Sequence, residues 1–122
     1  MISTPRILIV DDEPRICDSL RLLLSRQGYT IQTANSGQTA LSRLSEGKID
    51  LALLDLMLPD MNGLELMEYV TRKRPNTPVI VMSGHGTMDS AIEALRKGAY
   101  DYLRKPFEFE ELLKTVENAF GQ

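Results

Sequence analysis

Leu51-Ala52-Leu53-Leu54-Asp55 decides the reading of this chain: four apolar residues in a row, closed by a carboxylate. An apolar run this short, without alternation, is the mark of a strand buried on both faces of a parallel sheet. Ile7-Leu8-Ile9-Val10, before it, and Val79-Ile80-Val81-Met82, after it, have the same character. Two further runs, Thr30-Ile31-Gln32-Thr33-Ala34 and Tyr100-Asp101-Tyr102-Leu103, mix polar and apolar residues as edge strands do.

Helical patterns fill the intervals. The first carries Ile16, Leu20, Leu23 and Leu24, opens at Pro14 and closes near Gly28. The second has Ser36 as N-cap and runs through Ala40, Leu41 and Leu44 to Gly47. The third follows Asn62-Gly63 with Leu64, Met67 and Val70 and stops before Pro75. The fourth spans about Met88 to Lys97, with Ala91, Ile92 and Leu95 as its apolar positions, and ends at Gly98. The fifth follows Pro106 with Leu112, Leu113, Val116, Ala119 and Phe120. Strict strand–helix alternation predicts a doubly wound α/β fold with right-handed crossovers, and its ligand site at the carboxyl ends of the strands.

Those ends carry the chemistry. Asp11-Asp12-Glu13 ends the first strand, Asp55 the third, Ser83-Gly84 the fourth and Lys105-Pro106 the fifth, whereas Ala34-Asn35-Ser36 at the second carries no charge. Asp11, Asp12 and Asp55 bring three negative charges into a small space, where left alone they would repel one another. A hard divalent cation relieves this, and Mg²⁺ suits a few carboxylates with water completing its shell. With Lys105 and the cation the cluster is neutral, which keeps Asp55 ionised and nucleophilic. Taken singly, each group has a plainer explanation: acids favour helix N-termini, and a lone Asp or Lys-Pro often marks a turn. Coincidence at four strand ends favours a single site.

The chain's 122 residues suggest one domain, spanning 1–122. A net charge of -3 disfavours direct nucleic-acid contact. The single cysteine, Cys17, excludes an intrachain disulfide and fits a cytoplasmic setting; its place beside Leu20 and Leu24 makes it a core residue. Arg72-Lys73-Arg74 reads as a solvated helix end. The only histidine, His85, has no partners at metal-ligand spacing and falls in the loop after the fourth strand.

The segment Asp55-Leu56-Met57-Leu58-Pro59-Asp60-Met61-Asn62-Gly63-Leu64-Glu65 resembles the phosphorylation-site segment of bacterial response-regulator receiver domains. Val10-Asp11-Asp12-Glu13, Val81-Met82-Ser83-Gly84 and Lys105-Pro106-Phe107 resemble the other motifs of that family, in order and spacing, and the likeness covers about Pro5 to Phe120. It implies a flavodoxin-like strand order of 2-1-3-4-5 and a two-component signalling switch that is phosphorylated by a sensor histidine kinase. Asp55 would be the phosphoacceptor. Asp12 and Asp55 would bind Mg²⁺ or Mn²⁺ directly, Asp11 through water, and Met57 by its backbone carbonyl. Ser83 would be the switch hydroxyl, Tyr102 the switch aromatic and Lys105 the phosphoryl-binding ammonium, with a cis Lys105-Pro106 bond. Such a domain is no enzyme in its own right, since it promotes only its own phosphoryl transfer and dephosphorylation. It contacts no membrane and controls an output domain or partner through the surface of the fourth helix, fifth strand and fifth helix, in some arrangements as a phosphorylation-dependent homodimer.

Ser83-Gly84-His85-Gly86-Thr87, Ala91-Ile92 and Lys97-Gly98-Ala99-Tyr100-Asp101-Tyr102-Leu103 resemble the receivers of nitrogen-regulator-type, sigma-54-dependent transcription activators. In those, an ATPase domain and a DNA-binding domain follow, and Gln122 falls where the linker to them would begin. Two alternatives share the topology. A small aspartyl-phosphate hydrolase would commonly place a second acid two residues beyond Asp55, where Met57 stands. A flavin-binding carrier would want a hydroxyl-rich phosphate loop where Asp11-Asp12-Glu13 stands.

Overall fold

The computed structural model describes residues 4–84 and 88–121; His85 lies outside them. The elements follow in the order β1 (Arg6–Val10), α1 (Pro14–Arg26), β2 (Thr30–Ala34), α2 (Gly37–Glu46), β3 (Leu51–Asp55), α3 (Gly63–Lys73), β4 (Val79–Ser83), α4 (Met88–Arg96), β5 (Asp101–Arg104) and α5 (Phe109–Phe120). All strand pairings are parallel, in the order β2-β1-β3-β4-β5. The fold class expected from the sequence is the one observed.

Alternation along each inner strand sorts its side chains into two cores. Leu8, Val10, Ala52, Leu54, Val79 and Val81 face α2, α3 and α4. Ile7, Ile9, Leu51, Leu53, Ile80 and Met82 face α1 and α5. Each fully buried Leu or Ile contributes about 1.5–3 kcal/mol relative to exposure, so the unbroken apolar runs pin these strands at the centre of the sheet.

The helix boundaries follow local chemistry. Pro14 opens α1, the Ser36 hydroxyl accepts the Thr39 amide, and the Asn62 carboxamide accepts the Leu64 amide. Gly28 and Gly98 follow α1 and α4 with φ of 99° and 115°, a backbone region that favours glycine.

Three sequence expectations are corrected. On α4, Ala91 and Ala94 are buried while Ile92 and Leu95 point outward, 42% and 39% exposed. Two apolar stripes one residue apart competed for the sheet, and the alanine stripe lets the helix sit closer. β5 begins at Asp101, one residue late; Tyr100 packs against the α1–α5 core, whereas Tyr102 packs against the other core. Finally, Arg74 does not extend into solvent. Its guanidinium donates to the carbonyl oxygens of Leu44 and Gly47, closing the C-terminal end of α2.

Candidate functional site

In a sheet ordered 2-1-3-4-5 the chain departs in opposite directions from β1 and β3, leaving a crevice beyond their carboxyl ends. Asp11 follows Val10 into that crevice and Asp55 ends β3 beside it. The carboxylates of Asp11, Asp12 and Asp55 place one oxygen each within 4.8 Å of one another. Asp11 is fully buried and Asp55 nearly so, while Asp12 is exposed at the mouth.

Lys105 reaches the cluster from beyond β5, where its amide is held by the Ser83 carbonyl at 2.8 Å. Its Nζ lies 2.5 Å from Asp11 Oδ2 and 3.0 Å from Asp55 Oδ2, bridging the two buried carboxylates. The Lys105–Pro106 bond is cis. The remaining oxygens are held by backbone: Asp11 Oδ1 accepts the Glu13 amide at 3.0 Å, and Asp55 Oδ1 accepts the Met57 amide at 2.9 Å. The Met57 side chain is 63% exposed and takes no part.

Burial pushes the Asp55 carboxyl above its ordinary pKa, and the Met57 amide and Lys105 offset this only in part. Burial works against the Lys105 ammonium, but its bonds to Asp11 and Asp55 prevail and raise its pKa. One ammonium against three carboxylates leaves the cluster net negative. An all-oxygen donor set with uncompensated charge fits a hard divalent cation.

Ser83, at the end of β4, is buried, and its hydroxyl has no hydrogen-bond partner among the described residues. Tyr102 is half-buried, packed on the α2–α3–α4 core and in register with Val81. A cleft of about 650 Å³ opens over the cluster, lined by Asp12, Asp55, Gly84 and Lys105 and extended by apolar Ile16 and Phe107.

The structure therefore brings together Asp11, Asp12, Asp55 and Lys105, with Met57, Ser83 and Gly84 adjoining. It adds residues that the sequence reading passed over. The second strand's end does contribute: the Asn35 carboxamide donates to the Asp11 carbonyl at 3.0 Å. Asp60 accepts the amides of Gly37 and Gln38 at 2.8 and 2.9 Å. Neither residue stands out in sequence, since Asn and Asp near turns are ordinary. Cys17 is buried as expected, its thiol directed at the Asp11 carbonyl and pushed up to about 11, chiefly by burial.

A doubly wound parallel sheet with a carboxylate trio and a lysine at its carboxyl edge defines a class of α/β domains with a charged crevice at the switch point. Comparison with known proteins narrows the class. Residues 7–117 match the response regulator receiver domain model, and the chain belongs to that family. It is 39% identical over 115 residues to the transcriptional regulatory protein ZraR of Escherichia coli, covering 94% of this chain and 26% of that protein. It is 38% identical over 115 residues to the nitrogen assimilation regulatory protein NtrX of Azorhizobium caulinodans, covering 93% and 25%. The chain thus spans about a quarter of the length of these curated relatives. Among solved structures, a CheY-like receiver domain protein from Methanospirillum hungatei superposes with a TM-score of 0.92 at 34% identity, covering 95% of this chain and 93% of that one. The receiver domain of NtrX from Brucella abortus gives 0.90 at 36%, covering 95% and 98%. Among the described residues no helix is long and apolar enough to cross a membrane.

Proposed function

We propose that this chain is one receiver domain that accepts a phosphoryl group on Asp55 from a sensor histidine kinase and passes the change to an output domain or partner. The observation that carries this reading is the Asp55 carboxylate itself. It is nearly buried, sits 3.0 Å from Lys105 and lies within the three-carboxylate cluster at the floor of an open cleft.

An Asp55 oxygen attacks the donor's phosphorus, an acyl phosphate bond forms, and the bond to the donor's leaving group breaks with that group keeping the electron pair. Lys105 is within reach to neutralise Asp55 and then to hold a phosphoryl oxygen. Asp12 and Asp55 would hold Mg²⁺ or Mn²⁺ directly, Asp11 through water, and Met57 by its carbonyl. When bound, the cation supplies charge neutralisation and polarises the phosphoryl oxygens. The Ser83 hydroxyl has no partner among the described residues, and a buried unsatisfied donor of this kind costs about 1–3 kcal/mol. An acceptor oxygen arriving on Asp55 would relieve that cost and draw Ser83 toward it. Tyr102, half-buried on the core that also contains Ala94 of α4, would follow into the space, and α4 would repack. The apolar residues available on the resulting output surface are Ile92 and Leu95, not Ala94 or Leu103, which are buried.

The test is intact-mass measurement after incubation with acetyl phosphate and Mg²⁺. One phosphoryl group should add to the parent, none to Asp55→Asn, and none when a chelator removes the cation. Full modification of Asp55→Asn would refute the site.

A further inference from the structure

The receiver reading leaves Asn35, Gly37, Gln38 and Asp60 without a task, yet their hydrogen bonds link the loop after β1 to the loop after β3 by way of the turn after β2. We propose that the turn between β2 and α2 is a brace that ties the loop after β1 to the loop after β3, and that Asp60 is the positioning residue at its far end. This rests on reading Asp11, Asp12, Asp55 and Met57 as the cation-binding group.

At the near end, Asn35 Nδ2 donates to the carbonyl oxygen of Asp11 at 3.0 Å and also contacts Cys17 Sγ at 3.5 Å. The Asp11 amide in turn donates to the Ala34 carbonyl at 3.0 Å. Both backbone groups of Asp11 are therefore held, its amide by the last residue of β2 and its carbonyl by the turn. At the far end, the Asp60 carboxylate takes the amides of Gly37 and Gln38, one on each oxygen. Asp60 lies three residues beyond Met57 in the loop from β3 to α3.

That loop is closed on itself. Met57 and Asn62 form a bridge, and the Gly63 amide donates to the Leu56 carbonyl at 3.2 Å. A Cβ on Gly63 would stand 2.4 Å from Leu56 Cα, so the loop's ends meet as closely as backbone allows. A Cβ on Gly37 would stand 2.3 Å from Met61 Cγ, so the thioether of the same loop lies directly over the turn. A pull on Asp60 thus reaches Met57 and Asp55 without slack.

Asp60 takes the first two amides of α2, which the helix's own cap leaves unsatisfied, and because it comes from another loop the same bonds also tie that loop down. Ser36 already caps α2 through the Thr39 amide at 3.1 Å, and the Ala40 amide begins the helical ladder on the Ser36 carbonyl. Asp60 cross-links the loop after β3 to the turn after β2, and Asn35 carries that tie on to the loop after β1, whose carboxylates repel Asp55. Partners of this kind orient the groups that hold a metal and tune its affinity.

The test uses Mg²⁺ titration by calorimetry on the parent, Asn35→Ala, Asp60→Ala, Asp60→Asn and the double variant Asn35→Ala/Asp60→Ala, each checked for folding by circular dichroism. The brace predicts roughly tenfold weaker Mg²⁺ binding for either alanine variant. Asp60→Asn, which keeps one acceptor oxygen, should fall between these and the parent. Cutting the brace twice should weaken binding no further than cutting it once, because either cut releases the tie. Parent-like affinity in folded Asp60→Ala, or additive losses in the double variant, would overturn the proposal. Amide spectra without metal give a separate reading: Asp60→Ala should shift the Asp11–Glu13 resonances across the turn, and their constancy would overturn the brace. Absence of Mg²⁺ binding by the parent would instead strike at the cation-site reading, and those metal-free spectra would still judge the brace.

Discussion

The guanidinium of Arg74 donates to the carbonyl oxygen of Gly47 at 2.5 Å, so a residue just past the end of α3 closes the end of α2. It also bonds the Leu44 carbonyl. With Asp60 at the opposite end, α2 has an anion at its positive pole and a cation at its negative pole, both from the next strand–helix unit. A ten-residue helix is marginal by itself, and here its neighbours complete it.

Arg74→Ala should therefore destabilise the fold by about 1.5–3 kcal/mol, the range for hydrogen bonds to a charged group. Arg74→Lys should restore only part, since one ammonium cannot match the planar fork. Urea denaturation measures both. A midpoint unchanged in Arg74→Ala would return Arg74 to the status of a solvated end residue.

Asp60 makes a pH-dependent contribution. The Gln38 and Gly37 amides hold its carboxyl below the ordinary value. A folded pKa below the unfolded one stabilises the protein at pH above the unfolded value, about 4, and the contribution fades as pH falls through the folded value. The stability gap between parent and Asp60→Asn should be widest above about pH 5 and should narrow steadily in acid. Urea midpoints collected from pH 7 down to pH 3 test the sign; a gap that widens in acid would contradict it.

Asp12 and Lys105 should behave oppositely toward Mg²⁺. Lys105 bonds two of the carboxylates and so competes with the cation, whereas exposed Asp12 completes the trio. Asp12→Ala should weaken binding by at least the roughly tenfold typical of lost outer partners, while Lys105→Ala should leave it intact or tighten it. Calorimetric titration distinguishes them, and equal affinity in parent and Asp12→Ala would take Asp12 out of the cation's shell.

Ser83→Ala should separate stability from function. Removing a buried hydroxyl that has no partner among the described residues should leave the unmodified protein as stable or stabilise it by up to about 1 kcal/mol. The same change should weaken the hold on a phosphoryl group at Asp55. Thermal unfolding together with phosphoryl-uptake kinetics checks the pair of effects; a destabilised but fully competent variant would be the wrong pattern.

A stable phosphoryl mimic should shift backbone amide signals across α4 and β5 and perturb Ile92 and Leu95, the exposed apolar pair. The bias needs only a few kcal/mol of differential interaction between two states. Shifts confined to the loops around Asp55 would leave phosphoryl acceptance standing and remove the proposed output route.

How much of this was legible in the sequence depends on the range of the interaction. The strands, their order of burial and the carboxylates at their ends follow from short patterns. A run such as Leu51–Leu54 has few ways to hide its side chains, and Asp55 must then emerge at the sheet's edge. The helix starts at Pro14, Ser36 and Asn62 were equally local, because a cap acts on amides within three residues.

Tertiary structure alone decided the rest. It chose Ala91 and Ala94 over Ile92 and Leu95 as the buried face of α4, since helical period fixes a stripe's spacing but not which of two adjacent stripes meets the sheet. It set Lys105 between Asp11 and Asp55, and joined Asn35 to Asp11, Asp60 to Gly37 and Arg74 to Gly47. Each partner lies 23 to 94 residues away in the chain and in a different unit of the fold. A short polar side chain such as Asn35 or Asp60 satisfies its hydrogen bonds with whatever donor or acceptor packing brings within 3 Å. Nothing in its own neighbourhood of sequence specifies which one that will be.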